Sequence, residues 1–218
     1  MDWPSTEAMA ALVGLPEGYR LERLKRHEVA ALVAAIKEWY PDISVGLASC
    51  YLREDFYHHN AFLDDENEKD LLVMLVKRGD ELAAMGSWQR EPEALSIYAR
   101  FGAVAPQHRG AKLAVRAMEF GECLARAMGA GFIYGLATLK VPSMQLALEH
   151  AGYHLFGFVP GYDREMVAPG VVKRVYEALY AKVLVPDDQL LRPDPKNLTP
   201  RTKALFDMLF PTSRAADT

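Results

Sequence analysis

The sequence predicts an α+β fold with an antiparallel first half and a βαβ-like second half. Three observations carry this reading. Residues 71–104 hold three apolar, strand-like runs in succession, split by Arg78–Gly79–Asp80 and by a break at Pro92, which is the pattern of an antiparallel meander. After Gly110 the apolar period changes to that of a helix. Residues 132–159 then read as strand, helix, strand.

In chain order, residues 1–17 predict a short helix capped at Ser5, with Glu7 in its first turn and Ala8–Val13 as its body, followed by the turn Gly14–Gly18. Tyr19–Leu24 alternates as a first strand. His27–Tyr40 carries Val29, Leu32, Val33 and Ile36 at helical spacing, and Pro41 stops it. Residues 42–62 predict a second helix with loops. Leu71–Lys77, Leu82–Gln89 and Leu95–Val104 are the three meander strands. Leu113, Ala114, Ala117, Met118, Phe120, Gly121, Leu124 and Met128 mark a helix closed by Gly129–Gly131. Phe132–Ala137 is a short strand, and Pro142–His150 a helix with proline in its first turn. Tyr153–Val159 and Val171–Val183 are the last strands. Residues 186–200 carry four prolines, expected as a wrapping tail, and Arg201–Leu209 adds a terminal helix. The domains expected are an N-terminal helical extension (1–17), one main domain (18–184) and a proline-rich tail (185–218).

The chain has 218 residues, 50% hydrophobic and 25% charged, with a net charge of −4, so it has the composition to bury a core. The acidic balance argues against nucleic acid as a partner, since phosphate neutralisation needs a basic field. The start lacks a basic n-region and an apolar h-region, and no run reaches the 18–20 apolar residues of a membrane span. A cytoplasmic location is the expectation. Cys50 and Cys123 have no CxxC spacing or zinc-spaced histidine, so neither a disulfide framework nor a metal site is expected.

Chemistry concentrates in Val104-Ala-Pro-Gln107-His-Arg109-Gly110-Ala111-Lys112-Leu113-Ala114. A strand ends, a tight turn follows, and a helix begins, which aims free backbone N–H groups at one point on the positive end of the helix dipole. A phosphate or pyrophosphate is the natural ligand there. Gly110 admits close backbone approach, and Arg109 and Lys112 add positive charge.

Gln107-x-x-Gly110-x-Lys112 resembles the Q/R-x-x-G-x-G/A signature of the GNAT acyl-CoA-dependent N-acetyltransferase superfamily. Leu148-Glu-His-Ala-Gly152-Tyr153 resembles its second motif, Y-E-K-x-G-F, at a fitting separation. The resemblance covers residues 70–160 by motif and 18–184 by element order. It implies a GNAT-like mixed sheet with helices on both faces, and acyl transfer from acetyl-CoA or another acyl-CoA to the amine of a small molecule or protein. It places the pyrophosphate on the N–H groups of Arg109–Ala114, with Gln107 in the signature and Ser143 as a further cofactor contact. It pairs Val104 with the pantetheine arm and aims the Gly102 N–H at the thioester carbonyl. That donor would stabilise the oxyanion, a role worth about 10²–10³ in rate.

The chain departs from the pattern at five places, one of them Ala114, which replaces a further glycine and is harmless in a helix. Lys112 replaces a glycine or alanine, and Val141 an asparagine. Leu148 replaces the tyrosine that protonates the leaving thiolate. Tyr98 falls where members carry a basic glutamate, and could relay a proton through water only as a poor base. Tyr57 and His58 lie where the resembled family shapes its acceptor pocket, with His58 or His59 as a base candidate. The acidic run Asp64–Glu66 could attract a cationic acceptor. Phe156–Tyr162 could line the acceptor or acyl slot, or form a strand followed by a Pro-Gly turn. Cys123 reads as core, His150 as a surface residue. The departures leave a second reading, a degenerate acyl-CoA-binding sensor without turnover. The apolar last strand and tail are compatible with a homodimer.

Overall fold

A computed structural model describes residues 1–64 and 68–211, and divides into two units, Met1–Leu184 and Val185–Thr218. The first unit is a seven-stranded sheet with helices on both faces. Its strands are β1 (Tyr19–Arg23), β2 (Leu71–Arg78), β3 (Glu81–Glu91), β4 (Ser96–Val104), β5 (Phe132–Thr138), β6 (His154–Ala168) and β7 (Val171–Val183), in the order β1-β2-β3-β4-β5-β7-β6. Its helices are α1 (Thr6–Ala10), α2 (Val29–Trp39), α3 (Glu54–Asn60), α4 (Leu113–Ala127) and α5 (Ser143–His150).

The meander β1–β4 is antiparallel, as its closely spaced turns require. α4 is the crossover that brings β5 parallel to β4. β7 then inserts antiparallel between β5 and the edge strand β6. α4 and α5 pack on one face over Trp88, Ile97, Phe120, Leu124, Ile133, Leu148 and Tyr180. α2 and α3 cover the other over Leu71, Val73, Leu75 and Met85, with Tyr51 and Tyr57 between them.

Several boundaries move. The first helix ends at Ala10, capped as expected by the Ser5 side chain, which accepts from the Ala8 N–H. Residues 42–62 form a 3-10 segment, Leu47–Leu52, and the short α3. Pro142 caps α5 rather than opening it. β6 runs straight through Pro160–Gly161 with register shifts, and the turn comes at Pro169–Gly170 instead. Proline is tolerated there because β6 is an edge strand with bulges. Cys123 is half-exposed rather than core.

In the second unit, 3-10 turns at Asp187–Gln189 and Pro195–Asn197 precede α6 (Pro200–Leu209). Thr199 caps α6, its side chain accepting from the Thr202 N–H.

Candidate active site

The site begins where β4 and β5 part. Their pairing runs from Ser96↔Phe132 to Ala99↔Gly135 and stops. A register shift between Ser87 and Trp88 bends β4 at the same level. Residues 100–104 therefore leave an open edge toward β5.

The direction of that edge follows from its hydrogen bonds. Ala105 donates back to Ala83 on the β3 side. Val104 turns the other way: its N–H donates to the Tyr40 hydroxyl and its carbonyl accepts from that hydroxyl, both at 3.2 Å. Along a strand, residues two apart point their amides the same way. Gly102 therefore presents its N–H to the same open edge. A methyl group at Gly102 would meet only ordinary contacts, with Met85 O at 3.7 Å. The fold itself does not require glycine here; the added atom would enter the cleft.

The edge leads to the start of α4. The first intrahelical bond there is Arg116 N–H to Lys112 O, and no side chain caps the helix. The N–H groups of Leu113, Ala114 and Val115 are thus left free, at the positive end of a 15-residue helix. Gly110 sits at φ +93 with open space on its Cβ side, and Lys112 adopts the left-handed conformation at φ 60. The Arg109 guanidinium lies 5.3 Å from the Tyr40 ring centroid. Neither the Arg109 nor the Lys112 side chain has a hydrogen-bond or ion-pair partner among the described residues.

A cavity of about 910 Å³ joins these parts. Gly102, Val104, Arg109, Gly110, Lys112, Leu113, Ala114 and Ser143 line it, all expected from sequence. Gln107 and Ala111 do not. The Gln107 amide donates to Glu81 at 2.8 Å, tying the loop to β3. His108, 5% exposed, anchors the same loop through its ring nitrogen and the Tyr19 hydroxyl at 2.9 Å. Leu148, 1% exposed, lines the cavity from α5. His150 lies exposed at its rim.

The expected acceptor residues fall elsewhere. Tyr57 is 0% exposed and donates to the Tyr51 carbonyl, so it is core. His58 pairs its ring with Arg26 at 3.0 Å, and His59 bonds Asp55 O at 2.6 Å; neither lines the cavity. Asp64 accepts from the Arg26 N–H at the far end of α3, and Asp65 and Glu66 lie outside the described residues. Tyr98 stacks on Tyr134 with centroids 4.8 Å apart and does not line the cavity. Burial first, then the neighbouring Tyr162, pushes its hydroxyl well above the usual range, which unsuits it as a base. Burial likewise raises the Cys50 thiol, so it is no activated nucleophile. Among the described residues, no three His, Cys, Asp or Glu side chains gather as metal ligands.

The far wall of the cavity instead carries Trp39, Tyr40, Ile43 and Arg100, with Asp163 and Glu165 from β6. The Asp163 carboxylate accepts from the Leu47 N–H at 2.9 Å, seating the β6–β7 hairpin on the 3-10 segment. Gly46 permits the approach: any Cβ there would collide with Arg164 O. Beside this wall sits Glu177 of β7, 6% exposed. Burial first, then Glu165 and Asp163, lifts its carboxyl to about 7.

No family model and no curated protein matches the sequence. Solved structures do match. A ribosomal-protein-S5-alanine acetyltransferase from Vibrio fischeri superposes with a TM-score of 0.60 at 10% identity, over 82% of this chain and 99% of that one. A spermidine N-acetyltransferase from Vibrio cholerae gives 0.58 at 13%, over 78% and 95%. A ribosomal-protein alpha-N-acetyltransferase solved with coenzyme A gives 0.59 at 12%, over 79% and 97%. The likeness is one of fold: the chain has the fold of the GNAT N-acetyltransferases.

Proposed function

We propose that this chain is an acyl-CoA-dependent N-acyltransferase whose acceptor is a cationic amine. The observation that carries the reading is the continuous path from the open β4 edge to the uncapped α4 N-terminus, with Arg109 and Lys112 beside it. The groups present fit coenzyme A. The free N–H groups of α4 and the two cations suit a pyrophosphate, and the Val104 edge suits an amide-bearing arm. The thioester supplies an activated acyl group. The Gly102 N–H polarises its carbonyl, with no nucleophile of the protein's own. Asp163 and Glu165 favour a positively charged acceptor at the other end of the cavity. The structural neighbours named for spermidine and for ribosomal-protein alanine also act on amines.

Leu148, at the position of the usual thiol-protonating tyrosine, favours a second reading in which the chain binds acyl-CoA without turnover. A thiol leaving group near pKa 8.5 tolerates the loss of that acid, so the enzyme is the better reading. Thiol release from acetyl-CoA, measured over a panel of polyamines and amino-terminal peptides, decides. We expect release that depends on the amine and favours dications. Binding without release from any amine would support the sensor.

A further inference from the structure

We propose that Arg100 binds a carboxylate of the acceptor, so that the amine acylated here belongs to a diamino acid; the proposal rests on the acyltransferase reading. The position of Arg100 follows from the register of β3 and β4. Phe101 pairs with Ser87 and Ala99 with Trp88, so Arg100 stands between them with no partner of its own on β3. This is a β-bulge, a device that re-aims a side chain beside a site. In a regular strand, successive side chains alternate between the two faces. Here two successive residues turn to the face that α2 and α3 cover. Phe101 stacks on Tyr51 with centroids 4.5 Å apart, and the Arg100 guanidinium lies 5.9 Å from the Phe56 ring centroid. Arg100 thereby lines the cavity two residues from Gly102, a distance of about 7 Å along the strand.

Arg100 is half-buried, and its guanidinium donates to the Gln89 side chain at 2.7 Å, a neutral acceptor. No carboxylate pairs with it among the described residues. A guanidinium carries five N–H donors in a planar fork that matches a carboxylate, so one bond to an amide leaves most of the fork unfilled. A charge drawn away from water is ordinarily paired. Left unpaired, this one would also repel an incoming ammonium group.

The same cavity wall holds the complementary charge. Asp163 takes the backbone N–H groups of Leu47 and Arg164 and meets no cation at ion-pair distance among the described residues. Glu165, in contrast, is matched by Lys140 at 3.8 Å. Beside the larger effect of burial, the Tyr98 hydroxyl feels both Arg100 and Asp163, so the two share one neighbourhood without pairing. A ligand that carries both charges satisfies both residues, its ammonium facing Asp163 and its carboxylate the Arg100 fork. The amine that attacks must be neutral, and so cannot be the cation that Asp163 holds. A second amino group is therefore required, and the smallest acceptor that supplies all three groups is a diamino acid.

The test measures thiol release from acetyl-CoA with two pairs of amines, free lysine against cadaverine and free ornithine against putrescine. The members of each pair differ by one carboxylate. In at least one pair, wild type should show a kcat/KM about 10- to 150-fold higher for the amino acid, the worth of hydrogen bonds to a charged partner. In Arg100→Gln that ratio should fall toward one, through a higher KM for the amino acid rather than a lower kcat, because ground and transition states hold the carboxylate alike. Arg100→Lys keeps the charge without the fork and should fall between. Melting with acetyl-CoA should shift wild type and both variants equally, which shows the variants folded with the cofactor site intact. No preference for the carboxylate in either pair, or a preference that Arg100→Gln leaves unchanged, would overturn the role of Arg100 and leave the acyltransferase reading standing. No acetyl-CoA shift in wild type, or a shift without release from any amine, would overturn that reading and this role with it.

Discussion

Tyr40 holds the two backbone groups of Val104 that the arm of coenzyme A would need. The hydroxyl both accepts from the N–H and donates to the carbonyl, so binding must break two hydrogen bonds. Each is worth about 0.5–1.5 kcal/mol net. Tyr40→Phe should therefore tighten acetyl-CoA binding, by roughly five- to 150-fold if both bonds count in full, measured by calorimetry. Weaker binding would mean the hydroxyl contacts the ligand instead. Lys112 makes a related point at the loop. A left-handed conformation costs a non-glycine residue about 1–2 kcal/mol. Lys112→Gly relieves it but frees the unfolded chain, so urea unfolding should show stability unchanged or raised by up to ~1 kcal/mol. Acetyl-CoA affinity should fall, because a charge facing the cavity is lost. Strain kept at a position glycine would relieve is the signature of a residue retained for its side chain.

At the scale of elements, α4 can lie close to β3 only because Gly121 and Gly86 flank the Trp88 ring. A Cβ at Gly121 would stand 2.5 Å from Trp88 Nε1, a contact no packing allows. Gly121→Ala should cost about 1–3 kcal/mol of stability by overpacking, read as a lower urea midpoint, and should leave the residues around Arg109 and Lys112 intact. The meander was legible because each strand carries its own period and turn. The α4 loop was legible because phosphate chemistry needs only one contiguous turn, Gln107 to Ala114. Asp163, Glu165 and Glu177 were not legible as a group. Asp163 and Glu165 reach the cavity through the β5–β7–β6 pairing, and nothing local distinguishes them from other charged residues on an alternating strand. Tyr57 misled for the converse reason: a Tyr-His-His run looks chemical, while the helical phase of α3 turns Tyr57 inward. Pro160–Gly161 looked like a turn because edge-strand bulges use the same residues as turns.

At the scale of the molecule, two carboxyls give stability opposite slopes with pH. Hydrogen bonds from Lys77 and then Arg20 hold Glu22 down to about 2. Its contribution is present above pH 4.5 and fades as pH falls toward 2. Glu177 is raised to about 7, so its contribution is full below pH 4.5 and lost as pH rises through 7. Glu177→Gln should melt higher than wild type at pH 8 and at the same temperature at pH 5; equal melting at both would mean the carboxyl is not raised. The net charge of −4 conceals a local feature, the Arg109 and Lys112 side chains unpaired at the start of α4, while Glu165 on the same cavity is paired with Lys140 at 3.8 Å. The measurement that bears most directly on that arrangement is thermal melting with acetyl-CoA, for wild type and for the Arg109→Glu, Lys112→Glu double variant. At one hundred times Kd the ligand stabilises the native state by about 2.7 kcal/mol, which is roughly 5–10 °C for a chain of this size. We expect that shift in wild type and none in the double variant. No shift in wild type, or an equal shift in both, would contradict an acyl-CoA site at the start of α4.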